Sequence, residues 1–150
     1  MTEIKWTKLH KVLKEYADYF INKARENIGA NNSYATGKLG DTMDSIIEIT
    51  DNNISVKISL QDYWEYLDKG TKPHYPPISA IKEWVEVKNL SISPYAVQKS
   101  IGEKGTQPHP FFNDAKDETY RAFEQRIYYA IQEDIAEWIT DNLNQMLGRL

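Results

Sequence analysis

The chain contains no cysteine. Disulfides, thiolate metal sites and a cysteine nucleophile are therefore excluded. It has no apolar run of about 18 residues, so no transmembrane helix is expected. The opening Met1-Thr2-Glu3-Ile4-Lys5-Trp6 lacks the apolar core of a signal peptide, which predicts a chain that stays, or is assembled, inside a cell. Histidine is scarce, at three residues. Basic residues do not dominate: 18 Lys and Arg stand against 22 Asp and Glu, for a net charge of −4. That is not the balance of a nucleic-acid-binding domain, because phosphate contacts need clustered cations. Gly37-Lys38 has Asn32 where a phosphate loop needs its first glycine and Leu39 where it needs a hydroxyl, so that motif is absent. Ser and Thr are read as standing in neither a nucleophile elbow nor a Ser-x-x-Lys pattern.

What the chain does have is a phrase that occurs twice. Asp68-Lys69-Gly70-Thr71-Lys72-Pro73-His74 is matched by Glu103-Lys104-Gly105-Thr106-Gln107-Pro108-His109. At 150 residues a single domain, 1–150, is the natural expectation. Aromatics are plentiful, with ten Tyr, four Trp and four Phe, and such side chains suit half-buried and interface positions. Charge alternates by segment: +2 over residues 1–30, −5 over 31–68, +3 over 69–112 and −4 over 113–150. Such blocks suit self-association and suit an ordinary surface equally well.

The periodicity predicts an α+β fold. A long N-terminal helix spans residues 3–28, with Trp6, Leu9, Val12, Leu13, Tyr16, Ala17, Phe20, Ile21, Ala24 and Ile28 on one face, Thr2 as N-cap and Gly29 as its stop. Residues 29–44 read as a long loop. A small antiparallel sheet follows, a hairpin over 45–60 that turns at Asp51-Asn52-Asn53 and packs Ile54, Val56, Ile58 and Leu60 on one side. Residues 61–68 suit a short helix, with Asp62 as its cap, or an extension of the strand. Two short helices come next, Ile78–Lys88 opened by Pro77 and Pro94–Lys104 capped by Ser93. A long C-terminal helix runs over 110–147. Its row Phe123, Ile127, Ile131, Ile135, Ile139, Leu143, Leu147 advances four residues at a time and so drifts about 40° per step. A helix whose apolar row rotates like this meets different partners along its length or bends; its last half, with Trp138, Leu143, Met146 and Leu147, either reaches a neighbouring subunit or wraps the chain's own core.

The chemistry has two readings. His74 and His109 each follow an acid by six residues. Together with Asp68 and Glu103 they suit a divalent metal and a metal-dependent hydrolase. The same residues also suit a structural device: stop a helix at Lys-Gly, run extended through Pro, and start the next helix on Pro. On that reading there is no catalytic, cofactor or metal residue. A regulatory or interaction module is a third possibility.

Tyr63-Trp64-Glu65-Tyr66-Leu67-Asp68-Lys69-Gly70-Thr71 resembles the aromatic-rich, acid-x-Gly-Thr signature of tailed-bacteriophage tail-completion proteins, the small neck or minor tail components of the head–tail junction. Asp stands at 68 where that family often carries Glu. Thr36-Gly37-Lys38-Leu39 through Ser45-Ile46 resembles the family's segment ahead of the first strand. Pro76-Pro77-Ile78 through Ile81-Lys82-Glu83-Trp84-Val85 resembles a helical insertion of its longer members. Pro108-His109-Pro110-Phe111-Phe112-Asn113-Asp114-Ala115 resembles the lead-in to its closing helix.

The resemblance implies a non-enzymatic virion protein of the neck or tail, without cofactor or membrane, assembled in the bacterial host cytoplasm. It implies a homo-oligomeric ring, hexamer or dodecamer, that joins connector to tail beside other neck and tail proteins. Genomic DNA would pass through the lumen without sequence-specific binding. The scaffold and subunit-contact candidates are Tyr63, Trp64, Tyr66, Gly70, Thr71, His74, Gly105, Thr106, His109, Phe111, Phe112, Trp138, Leu143 and Leu147.

Overall fold

A computed structural model describes residues 2–30, 42–50, 52–61 and 64–149. Helix α1 (Thr7–Ala30) is followed by strands β1 (Asp44–Thr50) and β2 (Asn53–Ser59). Then come the short helices α2 (Trp64–Lys69), α3 (Ile78–Val87) and α4 (Pro94–Lys104), and the closing helix α5 (Phe111–Leu147). The α+β architecture expected from the periodicity is the one observed, with the two strands paired as an antiparallel hairpin. Asp62 and Asp51, expected as a helix cap and a turn residue, lie outside the described residues, as does most of the segment expected to be a loop.

The chain divides into two compact units. One comprises Met1–Phe20, Ser45–Ile58 and Lys116–Leu150; the other comprises Ile21–Asp44 and Ser59–Ala115.

In the first unit, Leu9 and Leu13 of α1 and Ala130 of α5 form a buried nucleus. Trp6, Val12, Ile47, Ile49, Val56, Ile127 and Ile131 pack around it. A two-stranded hairpin cannot hold itself together in water, and here its apolar face is covered by the two helices. Ile54, expected on that covered face, stands 42% exposed beside the turn. Edge-on aromatic packing extends the seam. The Phe123 ring lies 5.6 Å from Tyr16 and 5.5 Å from Tyr19, and the Arg126 guanidinium sits 4.7 Å from its centre.

The start of α1 differs from the expectation. Residues 2–6 are not helical, and the first residues of the helix are Thr7, Lys8 and Leu9. Trp6 occupies the cap position, where its carbonyl accepts the His10 N–H at 3.0 Å. An indole carries no acceptor, so it cannot satisfy the free amides of the first turn. Asp134 of α5 does so instead, accepting the Lys8 N–H at 3.1 Å and the Leu9 N–H at 2.9 Å. Thr2 is therefore not the cap. Its carbonyl accepts the Trp138 indole N–H, and its amide donates to Asn142 at 3.2 Å. Nor does Gly29 stop the helix, which runs through it to Ala30.

In the second unit the short helices end as the sequence implies. Asn89, at φ 50°, closes α3: its N–H bonds to the Glu86 carbonyl, and the Leu90 N–H bonds to the Val85 carbonyl. That pair of bonds is a Schellman motif with Asn in place of Gly. Pro77 sits at the cap position of α3 rather than inside it. Ser93 and Pro94 occupy the cap and first-turn positions of α4 as expected, although the Ser93 hydroxyl makes no capping bond. Residues 64–69 are helical, which settles the helix-or-strand alternative for that part of the segment.

Candidate functional site: the paired repeats

The two copies of the repeated phrase meet. Thr71 and Thr106 form an isolated antiparallel bridge. The Thr71 N–H donates to the Thr106 carbonyl and the Thr106 N–H donates to the Thr71 carbonyl, both at 3.1 Å. Their hydroxyls are 2.9 Å apart. The glycine before each threonine is drawn into the same contact. Gly70 has φ 72° and Gly105 φ 74°. A Cβ on Gly70 would lie 2.5 Å from the Thr106 carbonyl oxygen, and one on Gly105 would lie 2.1 Å from that of Thr71. Each copy thus needs its glycine twice over, for positive φ and for room against the other copy. Gly105 has ψ −163°, outside the left-handed helical well and in a region open essentially to glycine alone.

The acids of the two copies part company. Asp68 is 2% exposed. Its Oδ1 accepts the N–H of Phe112 at 2.8 Å and of Asn113 at 3.4 Å, and its Oδ2 accepts the Asn113 side-chain amide at 2.6 Å. Phe112 and Asn113 are the second and third residues of α5, whose cap position falls on Pro110, a residue without a side-chain acceptor. A buried carboxylate at a helix N-terminus is favoured by the free amides and by the helix dipole. Glu103, the matching acid, is exposed, with the Lys99 ammonium at 3.9 Å. The first copy therefore anchors the helix that the second copy delivers. The Trp64 ring 4.5 Å from Phe112 and the His109 N–H on the Leu67 carbonyl at 2.9 Å fasten the same joint.

The histidines take backbone roles. His74 is exposed; its Nδ1 lies 2.9 Å from the Lys72 carbonyl, and its N–H donates to the Ile101 carbonyl. Among the described residues, no group of three or more His, Asp or Glu is placed to hold a metal ion. Both oxygens of Asp68 are already committed. A Ser-x-x-Lys spacing that the sequence reading passed over, Ser79 and Lys82, lies on the exposed side of α3, with the Lys82 ammonium 5.5 Å from the Tyr95 ring.

Trp64, Gly70, Thr71, His74, Gly105, Thr106, His109, Phe111 and Phe112 thus fall in one unit, most of them at this joint. Tyr66 is in the same unit with its side chain 64% exposed. Tyr63 lies outside the described residues. Trp138, Leu143 and Leu147 belong to the other unit: Trp138 is half-buried against the N-terminal segment, while Leu143 and Leu147 are exposed. The residues the sequence reading undervalued are Asp68, Asn113 and Asp134. For Asp134 a signal existed, since an acid at the step of four between Ala130 and Trp138 sits where the packed face needs an apolar residue. No family model matches the chain, and no curated protein or solved structure shows significant similarity to it.

Proposed function

We propose that the protein is a structural, non-catalytic component of a tailed-phage head–tail junction, a ring-forming subunit that joins connector to tail. The observation that carries this reading is the joint between the repeats. Of the residues that resemble the tail-completion signature, Asp68 bonds to Phe112 and Asn113, which resemble the family's lead-in to its closing helix, Thr71 bonds to Thr106, and Gly70 packs against the Thr106 carbonyl. Those bonds cap a helix and pair two turns, which is architecture rather than chemistry. A net charge of −4 suits a channel past which DNA slides without adhering. The hydrolase reading has no comparable support, because its two acids are used differently and its first histidine is turned onto a carbonyl.

Disruption of the gene in a producing phage or prophage tests the assignment. The expected outcome is filled heads and free tails that fail to join, with particles restored by supplying the protein. Normal tailed particles from the disrupted strain contradict it.

A further inference from the structure

From Gln125 to its C-terminus, helix α5 carries a solvent face that bears no charge; nearer its start the same face holds Asp114, Glu118 and Arg121. On a 3.6-residue helix, the positions within about 60° of Leu143 form one stripe from Gln125 to Leu147, about 33 Å long. Every residue on it is exposed, and none is Asp, Glu, Lys or Arg. That is unusual in a chain in which 27% of residues are charged. Of the acids in this part of α5, Asp134 caps α1, Glu137 pairs with Lys8, Asp141 lies on the far side, and Glu133 borders the stripe about 80° from Leu143. The stripe has two halves. Towards the N-terminus it is aromatic, with Tyr128 and Tyr129; towards the C-terminus it is aliphatic, with Ile139, Leu143, Met146 and Leu147. These six side chains are between 46% and 64% exposed.

We propose that this face is where a second copy of the chain docks, α5 on α5 and antiparallel. Three features select that occupant. A two-fold contact sets a surface against itself, and an uncharged face does so without like-charge repulsion. Nucleic acid or a charged peptide finds no partner there. The six large side chains, at about half exposure, offer on the order of 650 Å², comparable to the roughly 800 Å² per partner of a stable interface. Antiparallel pairing lays the tyrosines of one copy on the leucines of the other, opposes the helix dipoles, and puts the small Ala136 at the crossing. The proposal does not rest on the phage reading: a two-fold contact closes a pair, whereas a ring is closed by a different, head-to-tail contact.

The absence of cysteine makes the test clean. Ala136→Cys in the full chain is expected to form a disulfide-linked dimer under mild oxidation at micromolar protein, and Lys14→Cys on α1 is not. In sedimentation runs the wild type is expected to dimerise, and the double variant Tyr129→Glu, Leu143→Glu to do so at least tenfold more weakly, with an unchanged circular dichroism spectrum. Both substituted side chains are exposed, so folding is not at stake. A wild type that stays monomeric to hundreds of micromolar overturns the proposal. So does undiminished association of the double variant, or an Ala136→Cys dimer that does not cross-link. Rings that survive the double variant would leave the phage reading standing and remove this contact from it.

Discussion

Gly105 is the residue on which the paired repeats depend most narrowly. Its φ of 74° and ψ of −163° are closed to other residues, and the Thr71 carbonyl fills the place of a Cβ. Backbone against backbone cannot relax by a rotamer change. Gly105→Ala is therefore expected to cost about 2–4 kcal/mol, read as a fall in Tm of roughly 5–15 °C. Gly29→Ala is the control. It lies inside α1 with open space around it, and it is expected to stabilise by about 0.5–1 kcal/mol. Equal effects at the two positions would refute the assignment. A second residue gives the fold a pH signature. Burial, with a contribution from nearby Tyr120, raises the Tyr16 pKa above its ordinary value of 10.0. The folded state thus holds that proton more tightly than the unfolded state, so the Tyr16 contribution is intact below about pH 10 and is lost as pH rises past it. In urea unfolding, Tyr16→Phe is expected to shrink the alkaline loss of stability; an identical pH profile would show that Tyr16 is not its source.

At the scale of elements, both long helices begin without a cap of their own. The cap positions hold Trp6 and Pro110, and a distant buried aspartate serves the second and third amides in each case. Asp134→Ala and Asp68→Ala are each expected to cost about 1–3 kcal/mol. Hydrogen exchange locates the damage: faster exchange at Lys8 and Leu9 for the first, at Phe112 and Asn113 for the second. Exchange that rises uniformly through the chain would mean general destabilisation rather than a lost cap.

These caps also mark where sequence reading stopped. The packed face of α1, the hairpin, the bounds of α4 and the length of α5 follow from local periodicity and turn chemistry, and all were legible. The start of α1 was not, because what selects Thr7 over an earlier residue is a carboxylate 125 residues away from Leu9. The repeat was visible and its helix-stopping role was readable, but nothing in its spacing says that the two copies bond to each other. The drift of the apolar row on α5 was legible as geometry. Phe123 is buried, Ile127, Ile131 and Ile135 are half-buried, and Ile139, Leu143 and Leu147 are exposed, as a rotating row requires.

For the whole molecule, the function proposed above is one of assembly. The conspicuous polar residues, Asp68, Asp134 and the two repeat threonines, are spent on holding helices and turns. The conspicuous apolar surface lies on the outside of α5. On the proposed reading, the protein works through the shape it contributes to a ring. Electron microscopy of the purified protein, alone and mixed with purified phage connectors, tests that claim most directly. The account predicts rings with a central channel, or rings that form once connectors are present. Particles that remain single subunits and never join a connector would contradict it.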